Sequence, residues 1–211
     1  MSGLLSRREL VARARAAAAT AAVSGVVAGT GQVGLADDAR AQAPAATTER
    51  ADGEVLSLVL SLELVVVLAY RRALDSGFLT PRSQHVVAQL LAQEHEHVHV
   101  VRSALRRLGT PAPPPPKSLE YAQSQLTARN GWGSFTDLHS ENDCLGLLTG
   151  AEAVAQGAYY QALGTLSHAG LLRTAAQALA SEAQHETVIE GLLHPGDVKR
   201  SVPSAFVEGI S

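Results

Sequence analysis

One spaced pattern of side chains occurs twice in the sequence, and this repeat restricts the fold more than any other feature. Each copy has a glutamate, a tyrosine seven residues later and, on a later segment, a Glu-x-x-His pair. Corresponding residues of the two copies are almost equally far apart, which chance rarely produces. The first copy consists of Glu63, Tyr70, Glu94 and His97, and the second of Glu152, Tyr159, Glu182 and His185.

Four long segments with helical apolar periodicity contain these residues, and helix-breaking sequences separate them. We predict helices over about 54–75, 81–109, 139–166 and 171–193, with Thr80 and Pro81 as a start signal for the second. The proline-rich stretch 110–116 cannot continue a helix, so 109–138 is expected to form a crossover with a short helical piece near 118–129. The expected fold is an all-α, antiparallel four-helix bundle made of two helical hairpins with one long crossover connection.

The spacing of the repeated residues favours a metal site inside this bundle. Residues three apart share one face of a helix, so each Glu-x-x-His pair can direct both side chains to one point. Apolar residues flank the glutamates, which predicts that they face the core rather than water. Four carboxylates and two imidazoles suit two iron ions, with manganese as the alternative. The predicted metal ligands are Glu63, Glu94, His97, Glu152, Glu182 and His185.

Several alternatives remain open from the sequence alone. Glu96 and His99 form a competing Glu-x-x-His pair, although their neighbours are less apolar. Tyr70 and Tyr159 can be ordinary core aromatics, but their matched positions favour hydrogen bonds to the site and hence a catalytic contribution. Each glutamate could also be a partly exposed helix residue, and only their joint pattern argues against that interpretation.

The N-terminal region has the composition of an export signal. Residues 1–43 begin with a basic segment, continue through an Ala/Val/Gly-rich run and end with small-residue cleavage patterns. The stretch from Ser6 to Val11 resembles a twin-arginine motif, and cleavage is expected after Ala41 rather than after Ala43, which precedes Pro44. A disordered Ala/Arg-rich tail is the alternative. We predict a periplasmic, cell-envelope or extracellular protein, with residues 44–53 as a linker, the bundle over 54–194 and a C-terminal tail over 195–211.

Composition excludes several classes of protein. The hydrophobic content is 46% and the aromatic content only 4%, which favours packed helices over a sandwich of strands. A formal net charge of -3 offers no general attraction to nucleic acid. The single Cys144, expected in the core, excludes a multi-cysteine zinc site. Because Glu63 interrupts the apolar stretch around it, no membrane-spanning helix is expected in the mature protein.

Taken together, these motifs resemble the ferritin-like superfamily, most closely its exported bacterial members related to desiccation-associated proteins. The resemblance extends over residues 54–207 and includes a terminal Pro-x-Ala-Phe at 203–206. It implies that Glu94 and Glu182 bridge the two metals and that Glu63 and Glu152 are terminal ligands. The proline-rich connector differs from storage ferritins, so an iron-storing cage is not expected.

Three functions follow as hypotheses. The six-ligand set favours an oxidoreductase that oxidises ferrous iron with dioxygen or peroxide. The desiccation-linked relatives favour a non-catalytic envelope or stress-protection protein that uses the carboxylates only structurally. The exposed connector and the stretch 202–210 favour a module that forms a homodimer.

Overall fold

The computed structural model describes residues 38–202, with side chains from Ala46 onward, so most of the predicted leader and the end of the tail lie outside it. Every regular element in this range is a helix, which confirms the all-α prediction. The helices are α1 (Asp38–Asp75), α2 (Pro81–Arg107), α3 (Leu119–Thr127), α4 (Glu141–Thr165), α5 (Ala169–Leu193) and α6 (Val198–Ser201).

Four of these helices, α1, α2, α4 and α5, are the ones that the repeat predicted, and their ends agree with the prediction to within two residues except at one place. Helix α1 begins at Asp38 rather than near Glu54, so the predicted linker over 44–53 is helical. Alanine, glutamate and arginine in this stretch have high helix propensity without the apolar spacing that marks a buried face. The first helix is therefore longer than its core-facing part.

Local capping explains where α2 starts. The side chain of Thr80 accepts a hydrogen bond from the backbone N–H of Ser83, and Pro81 occupies the first helical position. Glu141, at the start of α4, accepts a 2.8 Å hydrogen bond from the Thr80 hydroxyl. One contact therefore joins the beginning of α2 to the beginning of α4 and fixes this end of the bundle.

The crossover packs against the bundle through its second half. It contains α3, which the hydroxyl of Ser118 caps, and it buries Phe135 completely. At Gly150 of α4, an added Cβ would lie 2.2 Å from the Trp132 carbonyl oxygen, so only glycine permits this close approach. Arg72 of α1 donates a 2.9 Å hydrogen bond to the Phe135 carbonyl and holds the connector in place.

Helix α1 supplies much of the apolar core. Its part from Ala46 to Asp75 is long and apolar enough to cross a membrane, with a mean hydropathy of 2.0 over its most apolar window. However, 67% of that window is buried inside the protein, and Glu63 lies within it. Burial against the other helices gives this apolar surface a place in the core. Cys144 of α4 is buried in the same core.

Asp52 is a buried acidic residue that joins α1 to the start of α5. Its carboxylate accepts hydrogen bonds from the backbone N–H of Ser167 at 2.9 Å and of His168 at 3.2 Å. The same carboxylate lies 2.6 Å from the His168 ring nitrogen. A carboxylate at this position satisfies free N–H groups at the helix N-terminus and interacts favourably with the helix dipole.

We expect Asp52→Ala to lower the free energy of unfolding by about 2 kcal/mol, because it removes this cap and leaves the backbone N–H groups of Ser167 and His168 without their acceptor. Urea denaturation followed by far-UV circular dichroism measures the change. Asp197→Ala is the matched control, since Asp197 caps only the four-residue α6 at the exposed end of the chain. Equal losses for the two variants would contradict a structural role for the Asp52 connection.

Candidate metal centre

The repeated residues meet at the centre of the bundle, although they come from four different helices. Glu63 lies on α1, Glu94 on α2, Glu152 on α4 and Glu182 on α5, and the side chains of all four are at most 1% exposed. These helices bury their apolar faces against one another, so side chains on those faces point to a common axis. The structure therefore brings together carboxylates that are widely separated in the sequence.

The two histidines complete the cluster, and each faces carboxylates of both hairpins. His97 Nδ1 lies 2.7 Å from Glu182 Oε1 and 3.5 Å from Glu94 Oε2. His185 Nδ1 lies 2.6 Å from Glu94 Oε1 and 3.4 Å from Glu182 Oε2. Their rings are stacked, with centroids 5.7 Å apart. The histidine of each repeat copy therefore lies at nearly the same distances from Glu94 and Glu182, with the two glutamates in exchanged roles.

Ligand atoms in the cluster divide into two groups that share two residues. Within each group, the nitrogen and oxygen atoms lie within 4.8 Å of one another, which is a suitable arrangement around a single ion. Glu94 and Glu182 belong to both groups. The first group consists of Glu63, Glu94, His97 and Glu182, and the second of Glu94, Glu152, Glu182 and His185.

Many polar atoms of this cluster lack a hydrogen-bonding partner. Their separations are short, but none of these atoms makes a well-aligned hydrogen bond. Buried polar atoms without partners are costly, and cations are among the groups that can satisfy such a cluster. The atoms are Glu63 Oε2, both oxygens of Glu94, His97 Nδ1, Glu152 Oε2, both oxygens of Glu182, and His185 Nδ1.

Two tyrosines hold the outer glutamates in a crossed arrangement. The Tyr70 hydroxyl donates a hydrogen bond to Glu152 Oε1, and the Tyr159 hydroxyl donates one to Glu63 Oε1. Each tyrosine therefore serves the glutamate of the opposite hairpin and leaves that glutamate's second oxygen facing the cluster. Burial and the charge of the adjacent glutamate raise the pKa of both phenols well above 10. They remain neutral donors at ordinary pH.

Gln93 and Ser181, which the sequence did not identify, contact the outer side of His185. Gln93 Oε1 accepts a 2.9 Å hydrogen bond from His185 Nε2, and the Ser181 hydroxyl is 3.3 Å from the same nitrogen. Once His185 is neutral, this contact keeps its proton on Nε2 and leaves the lone pair of Nδ1 available to a cation among the carboxylates. An exposed glutamine next to a predicted ligand carries no signal of its own in the sequence.

Charges within the cluster shift the pKa values in opposite directions. Burial raises the pKa of Glu63 and Glu152 well above 4.5, and the charges of Glu182 and Glu94 raise it further. Burial would also raise the pKa of Glu182, but contacts with both histidines outweigh it and lower that pKa to about 2.

The histidine pKa values rise for the reciprocal reason. Burial would lower the pKa of His97, but its contacts with Glu182 and Glu94 outweigh burial and raise it to about 11. Contacts with Glu152, Glu182 and Glu94 likewise raise the pKa of His185 to about 12. Without a cation, protons therefore supply the positive charge that this buried cluster requires.

The competing Glu-x-x-His pair lies outside this buried cluster. Glu96 and His99 are both exposed on the outer side of α2, away from the core-facing Glu94. The residues that do converge offer carboxylate oxygens and imidazole nitrogens, which is the donor set that iron and manganese accept. The cluster thus fits a pair of divalent cations in its chemistry, its burial and its unpaired lone pairs.

An antiparallel four-helix bundle with a central carboxylate and histidine cluster defines the class of protein. The ferritin-like domain family matches residues 51–195, which is most of the chain, and the protein belongs to that family. A conserved hypothetical protein from Mycobacterium tuberculosis has a similar structure, with a TM-score of 0.57 and 21% sequence identity. That match covers 68% of this chain and 98% of the other, and it supports the fold alone. No curated protein matches this sequence.

Proposed function

We propose that the protein is an exported ferritin-like protein that binds two iron ions and oxidises ferrous iron with dioxygen or peroxide. The observation that carries this proposal is the set of buried, unpaired ligand atoms in two groups that share Glu94 and Glu182. Glu94 and Glu182 belong to both groups and would contribute ligand atoms to both ions. Manganese is the alternative metal, since it accepts the same donors.

Side chains of the protein would support this chemistry by limiting water around the cluster and by orienting its glutamates. Bound there, two ferrous ions supply the two electrons that reduce peroxide and two protons to two waters, or dioxygen and two protons to peroxide. The apolar core limits water around the cluster, which strengthens the attraction between carboxylates and cations. Tyr70 and Tyr159 orient Glu152 and Glu63 and keep one oxygen of each free for metal.

The test combines a metal analysis with rapid kinetics on the purified full chain. We expect about two bound iron ions per chain after expression in iron-replete cells. Ferrous iron added without air and then mixed with peroxide or oxygenated buffer should give a fast rise in near-ultraviolet absorbance from ferric carboxylate. An oxidation rate no faster than that of a Glu94→Gln variant would contradict the proposal.

A second candidate, a non-catalytic envelope or stress-protection protein, is favoured by one specific observation. The contacts of His97 with Glu182 and of His185 with Glu94, at 2.7 and 2.6 Å, can balance charge without any metal. In that case the cluster would be a structural ion-pair network. This candidate predicts a purified protein that is stable but nearly free of iron and manganese.

Export is part of the proposed function, and it rests on the leader sequence, most of which lies outside the described residues. We expect Arg7→Lys/Arg8→Lys to retain the protein inside cells that possess twin-arginine export, because that pathway depends on the arginine pair. Fractionation followed by immunoblotting measures the distribution. Arg13→Lys/Arg15→Lys is the matched control and should leave export unchanged. Equal export of the two variants would argue against this signal.

A further inference from the structure

A groove on the outer surface between α1 and α2 lies away from the carboxylate cluster. Its volume is about 350 Å³, within the range of small-molecule sites. The floor is apolar and is formed by side chains at helical spacing on both helices. Three basic side chains and two prolines of the connector form its rim. The lining residues are Leu64, Val67, Leu68 and Arg71 of α1, His95, Val98 and Arg102 of α2, and Pro115 and Pro116.

Positive charge lies at both ends of this groove. At one end, an Arg71 guanidinium nitrogen lies 3.1 Å from His95 Nε2, which holds the arginine over the groove. Arg102 lies seven residues beyond His95 on the same helix, or about 10 Å along its axis. Among the described residues, Arg102 has no hydrogen bond or ion pair. None of the lining residues is acidic, so both guanidinium groups remain available to an anion.

The shape of the groove distinguishes between occupants. The rings of Pro115 and Pro116 fix their φ angles, so these two residues form a stiff part of the groove wall. A flat bilayer surface cannot enter such a recess, whereas one hydrocarbon chain fits its volume. The apolar floor between two cationic ends is complementary to a molecule with an apolar body and an anionic group.

We propose that this groove binds a free organic anion with a single hydrocarbon chain, such as an alkyl carboxylate. The carboxylate pairs with Arg71 or Arg102, and the chain covers Leu64, Val67 and Val98. This site is independent of the proposed iron chemistry, because none of its lining residues belongs to the carboxylate cluster. Binding and metal content can therefore be measured separately.

Isothermal titration of the full chain with decanoate tests the proposal. Acetate, which lacks the hydrocarbon chain, and decylamine, which carries the opposite charge, are the comparison ligands. We expect decanoate to bind and both comparison ligands to bind at least about tenfold more weakly. Equal affinity for decanoate and decylamine, or no decanoate binding, would overturn the proposal. So would binding to anionic vesicles in the absence of decanoate binding.

Variants locate the site. Arg71→Ala/Arg102→Ala should weaken decanoate binding on the order of tenfold, since each exposed charge pair contributes modestly. Arg82→Ala/Arg173→Ala removes the same charge from exposed positions that do not line the groove and should leave binding unchanged. Leu68→Gln should also weaken binding through the floor. Equal decanoate affinity in the wild type and in both groove variants would overturn the assignment. Far-UV circular dichroism and the thermal unfolding midpoint verify that each variant is folded.

Discussion

Glu182→Gln is expected to reduce bound metal from about two ions per chain to well under one, because Glu182 belongs to both ligand groups. Glutamine keeps the volume of the side chain but loses the charge that a cation requires. The same result is expected for Glu94→Gln, the other shared residue. Elemental analysis of purified variants, with far-UV circular dichroism as a check of folding, gives the measurement.

Two further variants make this test specific. Glu63→Gln affects only one group and should retain about one ion per chain. Glu96→Gln changes an exposed glutamate on the outer side of α2 and should retain both ions. If Glu96→Gln lost metal while Glu182→Gln kept it, the central cluster would not be the metal site.

Removal of metal is expected to lower the midpoint of thermal unfolding by on the order of 10 °C at neutral pH. Ligand present at about a thousand times its dissociation constant stabilises a fold by about 4 kcal/mol. In a domain of this size each kcal/mol corresponds to about 2–4 °C. Differential scanning calorimetry with chelator and with added metal measures the shift. Glu182→Gln, which should bind little metal, should show almost no response to chelator.

The size of this shift should increase with pH. The pKa values of His97 and His185 are raised from 6.5 to about 11 and about 12, so their contribution to stability is complete below pH 6.5 and is lost as pH rises toward those values. The pKa values of Glu63 and Glu152 are also raised, so these residues too make the metal-free protein less stable as pH rises above 4.5. The lowered pKa of Glu182 has the opposite effect. Its contribution to stability is present above pH 4.5 and is lost as pH falls toward 2.

The metal-free protein should therefore become less stable between about pH 6.5 and about pH 8.5, while the metal-bound protein, whose ligands are already deprotonated, should not. The difference between the two unfolding midpoints would widen over this interval. A difference that stays constant or narrows would mean that metal does not replace protons in the cluster. The non-catalytic alternative would then be favoured.

The sequence alone was sufficient to predict the four helices that carry the repeat. Thr80 with Pro81 is a local start signal, and the structure uses it at the beginning of α2. The convergence of Glu63 with Glu152 was also predictable, because two copies of one pattern in a bundle must place equivalent residues on a common axis. Whether the assembled cluster holds metal remains a prediction.

Other features depend on contacts that local patterns do not contain. Asp52 falls in the stretch predicted as a linker, and its hydrogen-bonding partners lie more than a hundred residues later at the start of α5. Gln93 on α2 contacts His185 on α5, and nothing in the sequence around Gln93 distinguishes it from other exposed residues of α2. The early start of α1 was missed because helix propensity without apolar spacing gives a weak signal.

The crossed hydrogen bonds of the tyrosines make each half of the chain incomplete without the other. Tyr70 in the first hairpin supports Glu152 in the second, and Tyr159 supports Glu63 in return. In an isolated hairpin, the glutamate would lack its hydrogen bond from a tyrosine. Two identical hairpins that paired would each donate this hydrogen bond to the other. The two halves of the chain thus contact each other reciprocally, as the two subunits of a symmetric dimer do.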